Sequence, residues 1–152
     1  SVFRRLSVKD NILASLEQRF NLNSDQRKKE LEYLLDKFKL APFSDTKAIK
    51  LSGGERRRTE IARALASNPK FLLLDEPFAG IDPIAVSELK ILLKELKKMD
   101  IGILISDHNV RETMQICDKV SILCEGRMIA KGSSEEISKN ELVKEIYLGE
   151  DF

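Results

Sequence analysis

The run Phe71-Leu72-Leu73-Leu74 leads without a break into two carboxylates, Asp75 and Glu76. A short, continuous apolar run reads as a strand of a parallel sheet covered by helices, rather than as one face of an amphipathic strand. A second such run, Ile103 to Ile105, follows, and between them Leu89, Leu92, Leu93 and Leu96 recur at helical spacing. Strand, helix and parallel strand make a βαβ unit, so the chain is α/β. Ligands of such folds bind beyond the carboxyl ends of the strands, and the acidic pair should stand there.

Upstream the pattern is helical. Ser7 and Asp10 have the spacing of a capping box ahead of Ile12, Leu13, Leu16 and Phe20. A second helix starts near Ser24, carries Leu31, Leu34, Leu35 and Phe38 on one face, and ends before Pro42. A polar loop, Ser44 to Lys50, precedes a third helix opened by Ser52, with Ile61, Ala62, Leu65 and Ala66 inward and an end near Asn68 and Pro69. Beyond the βαβ unit, a helix from about Asn109 to Ile116 leads into Val120 to Cys124. Glu125-Gly126 then turns the chain into Met128 to Ala130 as a hairpin, and two short helices close the chain. Three segments follow: residues 1–69 helical, 70–135 sheet-bearing, and 136–152 a helical tail.

Composition narrows the partners. Twenty-six basic and twenty-five acidic residues leave a net charge of +1, so no global field announces nucleic acid or an anionic membrane. Cys117 and Cys124 are too few for a disulfide framework and lack C-x-x-C spacing, which suits reduced structural thiols in a cytosolic protein. No apolar run approaches the roughly 20 residues needed to span a bilayer, so a membrane role would need partner subunits. A chain of 152 residues fits one domain or a piece of a larger one, and its start at Ser1 without methionine suggests a fragment or a processed product.

Several residues have both a plain and a chemical reading. Ser52 and Glu55 in Leu51-Ser52-Gly53-Gly54-Glu55 can be a helix cap, yet a glycine-rich helix start also offers free backbone N–H groups and a dipole to a phosphate. Asp75 and Glu76 can cap the turn at Pro77, or Asp75 can hold Mg²⁺ through water while Glu76 orients or deprotonates an attacking water. His108, the chain's one histidine, can be a surface residue, or part of the same sheet edge, since it follows Asp107 at the end of the second run. Asp82-Pro83 is an N-cap followed by proline at the first helical position. Arg56-Arg57-Arg58 could track phosphates, but on a helix the three spread around nearly a full turn, and Glu55 and Glu60 offset them.

Taken in order, these elements resemble the ABC ATPase family: signature loop, helix, Walker B strand, D-loop, strand and switch histidine. The resemblance implies a partial P-loop NTPase fold, a helical subdomain plus the C-terminal half of the RecA-like parallel-sheet core. It also implies ATP and Mg²⁺ as cofactors. Ser52, Gly53 and Gly54 would contact the γ-phosphate of ATP held by a second copy of the subunit, with Glu55 where the family more often has glutamine. Asp75 would be the Walker B aspartate, Glu76 the catalytic base and His108 the γ-phosphate sensor. Ala79 to Asp82 would form the D-loop, with Ala79 in place of the usual serine, which weakens the transfer of a role to Asp82.

Phe3-Arg4-Arg5-Leu6-Ser7-Val8, Gly54-Glu55-Arg56-Arg57-Arg58, Asp107-His108-Asn109-Val110-Arg111-Glu112-Thr113 and Tyr147-Leu148-Gly149-Glu150 are similar to the ATPases of lipopolysaccharide-export systems. Branched-chain amino-acid importer ATPases share a similar ending. The resemblance implies a subunit on the cytoplasmic face of the inner membrane, with transmembrane permease subunits as partners. Phe3, Arg4 and Arg5 would receive their coupling helix, although a solvated basic helix start reads equally well. ABC ATPases acting on DNA, RNA or ribosomes would carry long coiled-coil heptads or a charged linker, and neither is present, so no nucleic acid is expected. The 152 residues contain no G-x-x-x-x-G-K-S/T loop, so by themselves they are expected to be inactive and to have exposed sheet edges prone to non-native pairing.

Overall fold

The computed structural model describes residues 1–145. The expected tail at 136–152 is thus described only in part, and Tyr147-Leu148-Gly149-Glu150 lies outside the described residues. The chain forms two compact units, one of residues 1–74 with 79–104, the other of residues 75–78 with those from 105 onward.

In the first unit, α1 (Val8–Leu16) packs against α2 (Ser24–Lys37) and α3 (Gly53–Ala66), and α4 (Pro83–Lys97) packs on α3. Val8, Ile12, Leu16, Phe38, Leu40, Ile61 and Ala62 are almost wholly buried. Each large apolar side chain among them contributes about 1.5–3 kcal/mol relative to exposure. The expected inner faces of α3 and α4 are the buried ones, including Leu89, Leu92, Leu93 and Leu96.

The start of α1 differs from expectation. Ser7 accepts the Asp10 N–H at 3.2 Å, but the Asp10 carboxylate meets the Ser7 hydroxyl at 2.5 Å. Aspartate is one methylene shorter than the glutamate that usually reaches back to the cap's backbone. Phe20, assigned to the inner face, is 94% exposed. Gln18 and Arg19 donate to Ser15 and Leu16 in i→i−3 turns that leave the helical path before Phe20.

The loop before α3 is less open than its polarity suggests. The Val8 N–H donates to the Thr46 carbonyl, the Ala48 N–H to the Leu6 carbonyl and the Ile49 N–H to the Arg4 carbonyl, and Ala48 is fully buried. Residues 46–49 therefore clasp residues 4–8.

β1 (Phe71–Asp75) pairs with β2 (Gly102–Ser106). Gly102 donates to Lys70 at one end and Glu76 to Ser106 at the other, so the strands run parallel, as the βαβ pattern requires. Leu72 is buried, while Phe71, Leu73 and Leu104 are 74%, 73% and 65% exposed.

The second unit holds α5 (Val110–Met114), the hairpin β3 (Val120–Cys124) and β4 (Arg127–Gly132), α6 (Ser134–Ser138) and α7 (Glu141–Val143). The hairpin turns at Glu125 and Gly126, both at positive φ, with Cys124 opposite Arg127. Met114, Val120, Ile122, Ile137 and Val143 form its core. No described helix is long and apolar enough to cross a membrane.

Candidate functional site

The glycine-rich loop and Asp82 belong to the first unit. Ser52 caps α3, accepting the Glu55 N–H at 3.3 Å, and the Glu55 carboxylate accepts the Ser52 N–H at 2.8 Å. Glutamine would close the same box, so Glu55 keeps the loop's local geometry. The amides of Gly53 and Gly54 in the first turn take no part in that box, which leaves them as donors for an anion.

Both glycines stand where a side chain has no room. A Cβ on Gly53 would lie 2.7 Å from the Gly80 carbonyl oxygen, and one on Gly54 2.7 Å from the Ala85 Cβ. The loop is thus held against residues 80–85, where Asp82 caps α4 by accepting the Ala85 N–H at 3.0 Å. Bare amides at a glycine-lined helix start fit a phosphate.

Asp75, Glu76 and His108 lie in the second unit, at the carboxyl ends of β1 and β2 where the apolar runs placed them. The Ser106 hydroxyl donates to the Asp75 carboxylate, which is exposed. Glu76 adopts a positive φ of 44°, unusual for a residue with a Cβ, and its N–H donates to the Ser106 carbonyl at 2.7 Å. His108 Nδ1 is 3.2 Å from Glu76 Oε1, and both side chains are more than half exposed. No described group of three or more His, Cys, Asp and Glu could hold a metal ion by protein ligands alone. A single exposed, oriented carboxylate does fit Mg²⁺, which takes one or two carboxylates together with water and phosphate oxygens.

Asp107 was not singled out from the sequence. Its side chain is only 1% exposed, and its carboxylate accepts the Asn109 N–H at 2.8 Å and the Phe78 N–H at 3.4 Å. Ser106 was also missed. Their position just before His108 at a strand end was the available signal, but burial was not legible there.

In the first unit, Arg4 and Arg5 are exposed and Phe3 is half-exposed. The Arg63 guanidinium lies 4.2 Å from the Phe3 ring centroid. The fully buried Asn11 accepts the Phe3 N–H at 2.7 Å and donates to the carbonyls of Phe3 and Ser7 at 3.1 and 2.9 Å. Arg56, Arg57 and Arg58 reach separate partners, the Leu51 carbonyl, Glu60 and Glu88.

A family model described as ABC transporter matches residues 1–79, and one described as branched-chain amino acid ATP-binding cassette transporter matches residues 127–152. The chain is 51% identical over all 152 residues to the lipopolysaccharide export system ATP-binding protein LptB of Escherichia coli (strain K12), of which it covers 63%. It is 50% identical to the LptB of Haemophilus influenzae, again covering 63%. To a probable ABC transporter ATP-binding protein of Azorhizobium caulinodans it is 51% identical, covering 54%. Among solved structures, it resembles an ATP-binding cassette of an ABC transporter in its ADP conformation, with TM-score 0.78 and 29% identity over 97% of this chain and 64% of that one. It also resembles cbiO1 of Clostridium perfringens, part of the ABC transporter complex cbiONQ, with TM-score 0.82 and 32% identity over 97% and 59%. The chain spans less than two thirds of the length of these proteins.

Proposed function

The chain belongs to the ABC transporter family of ATP-binding proteins, and from that premise we propose that it is part of the ATP-hydrolysing subunit of a lipopolysaccharide exporter on the cytoplasmic face of the inner membrane. The observation that carries this reading is half-identity along its whole length to LptB. The match of residues 127–152 to the branched-chain amino-acid family model favours a second reading, an amino-acid importer ATPase. That match covers one end of the chain alone.

In the proposed reaction, Glu76 accepts the proton of the water that attacks the γ-phosphorus of ATP as the bond to the bridging oxygen breaks and ADP leaves with inorganic phosphate, and the left-handed turn at Glu76 aims its carboxylate beside His108. His108 donates to a γ-phosphate oxygen. Gly53 and Gly54 offer their amides to the ATP of a second copy of the subunit, so that two nucleotides are sandwiched in a homodimer. Asp75, oriented by Ser106, would hold Mg²⁺. When bound, that ion supplies positive charge against the phosphate oxygens.

Phe3, Arg4 and Arg5 form the face offered to the permease subunits. A half-exposed aromatic ring fixed at its backbone by Asn11 and stacked by Arg63 is a pre-organised anchor, and the two arginines suit an acidic partner.

The test is Mg²⁺-dependent ATP hydrolysis by the full-length gene product. Glu76→Gln should lower kcat by about 100-fold or more, as loss of a general base does. Retention of wild-type turnover would remove Glu76 from the mechanism. Depletion of the protein in cells should stop lipopolysaccharide reaching the surface, whereas loss of branched-chain amino-acid uptake alone would establish the importer reading.

A further inference from the structure

We infer that Asp107 is a positioning residue for hydrolysis: its buried carboxylate ties the loop that carries Glu76 to the loop that carries His108, and so sets the geometry of that pair. The inference rests on the reading of Glu76 as general base.

Two loops meet at the carboxyl ends of β1 and β2, and neither is held by regular ladder bonds past Glu76 and Ser106. One oxygen of Asp107 takes the Asn109 N–H at 2.8 Å, which fixes the turn through His108. The other takes the Phe78 N–H at 3.4 Å, two residues beyond Glu76. The first bond is local and alone would be an ordinary Asx turn. The second crosses from one loop to the other.

What the crossing bond holds is a strained residue. Glu76 has φ of 44°, a region that residues with a Cβ occupy only when their surroundings impose it. Its own N–H is fixed at Ser106, and Asp107 fixes the chain at Phe78. The two anchors bracket Glu76 and Pro77, leaving the Glu76 carboxylate 3.2 Å from His108 Nδ1.

The chemistry requires a carboxylate. Both groups hydrogen-bonded to Asp107 are backbone N–H donors, with His108 Nδ1 4.0 Å from the oxygen that takes Asn109, and a carboxylate offers an acceptor oxygen to each donor. Asparagine has the same shape but one acceptor, so its NH₂ would oppose a backbone N–H. The Phe78 N–H, on a residue only 5% exposed, would have little access to water as a substitute were it the donor left unpaired.

The experiment uses the full-length protein with Asp107→Asn, Asp107→Ala, Glu76→Gln and the double variant Glu76→Gln/Asp107→Asn, each confirmed folded by circular dichroism. Asp107→Asn should lower kcat by about 10-fold and Asp107→Ala by about 100-fold, the scale on which a displacement of about 1 Å in a reacting group acts. KM for ATP should stay within about twofold, because of the groups proposed to meet phosphate or Mg²⁺ only His108 is positioned by Asp107, while Gly53, Gly54 and Asp75 keep their places. Adding Asp107→Asn to Glu76→Gln should cost clearly less than Asp107→Asn costs alone, since one of the two positioned groups is already disabled.

A general structural role predicts the opposite: KM rises, or the two substitutions multiply. Either result overturns the assignment, as does an Asp107→Asn protein with wild-type kcat while Glu76→Gln is inactive. A Glu76→Gln protein with wild-type kcat would instead remove the catalytic reading itself, and this inference with it. Should Asp107→Ala fail to fold, the near-isosteric Asp107→Asn and its double variant still decide the matter.

Discussion

Gly53 and Gly54 are small for different reasons, and substitution separates them. Beside Gly53 lies the backbone carbonyl of Gly80, which cannot move without moving the turn. Beside Gly54 lies the Ala85 methyl, which can be removed. Gly53→Ala and Gly54→Ala should each destabilise the full-length protein by about 1–3 kcal/mol through overpacking. Ala85→Gly should recover much of the loss in the Gly54→Ala background and none in the Gly53→Ala background. Denaturant titration of the single and double variants reads this, and equal recovery in both would show that the glycines are not held by these contacts. In the sequence the two glycines read as a helix start with free amides. What approaches them, residues 80–85, is brought there by packing of α4 on α3, and tertiary contact of that kind has no local signature.

The helix starts expected near Ser24, Ser52, Asp82 and Asn109 were legible to within a residue because a cap is a local bond: Asn23, Ser52, Asp82 and Asn109 all accept the N–H three residues on, whereas α6, capped by Ser133, starts ahead of the tail expected from 136. Ends were less so, as Phe20 shows, because the i→i−3 turns after Leu16 carry no distinctive residue. Asn11 was invisible for another reason: a polar side chain in an amphipathic pattern reads as solvent-facing, and only the structure turns it inward against the Phe3 carbonyl and amide. At the start of α6, Glu136 yields a pH prediction. Bonds from the backbone N–H and hydroxyl of Ser133 hold its carboxyl below the usual glutamate range. A carboxyl so lowered stabilises the fold above its unfolded pKa, ordinarily about 4.3, and loses that contribution as pH falls through the lower folded value. Glu136→Gln keeps an acceptor for the box but does not titrate. Between neutral pH and about pH 3, the melting temperature of the wild type should therefore fall further than that of Glu136→Gln. Parallel curves would show that this cap is not coupled to stability.

The apolar runs specified a parallel βαβ unit, and β1 and β2 are so arranged, yet strands of that kind belong in sheets covered on both faces. Phe71, Leu73 and Leu104 are instead largely exposed. No reading of one strand could foresee this, because a strand's pattern states that it needs cover without saying where the cover lies in the chain. The same holds for the phosphates. In the proposed site, Asp75, Glu76 and His108 would supply a carboxylate for a cation, a base and a donor, and Gly53 and Gly54 would supply amides. Nothing among the 152 residues matches the G-x-x-x-x-G-K-S/T loop whose amides and lysine grip the β- and γ-phosphates. Without that grip the triphosphate would not be fixed in line with the water that Glu76 would activate, and proximity of that kind accounts for about 7–11 kcal/mol of barrier lowering in well-oriented reactions. The 152-residue polypeptide alone should therefore show neither micromolar ATP binding by calorimetry nor phosphate release above buffer, while the full-length product shows both. It should also self-associate through its bare strands, visible as a concentration-dependent shift in sedimentation. Micromolar ATP binding by the isolated polypeptide would mean that its own amides and carboxylates make a sufficient nucleotide site, and would overturn the sandwich arrangement proposed for Gly53 and Gly54.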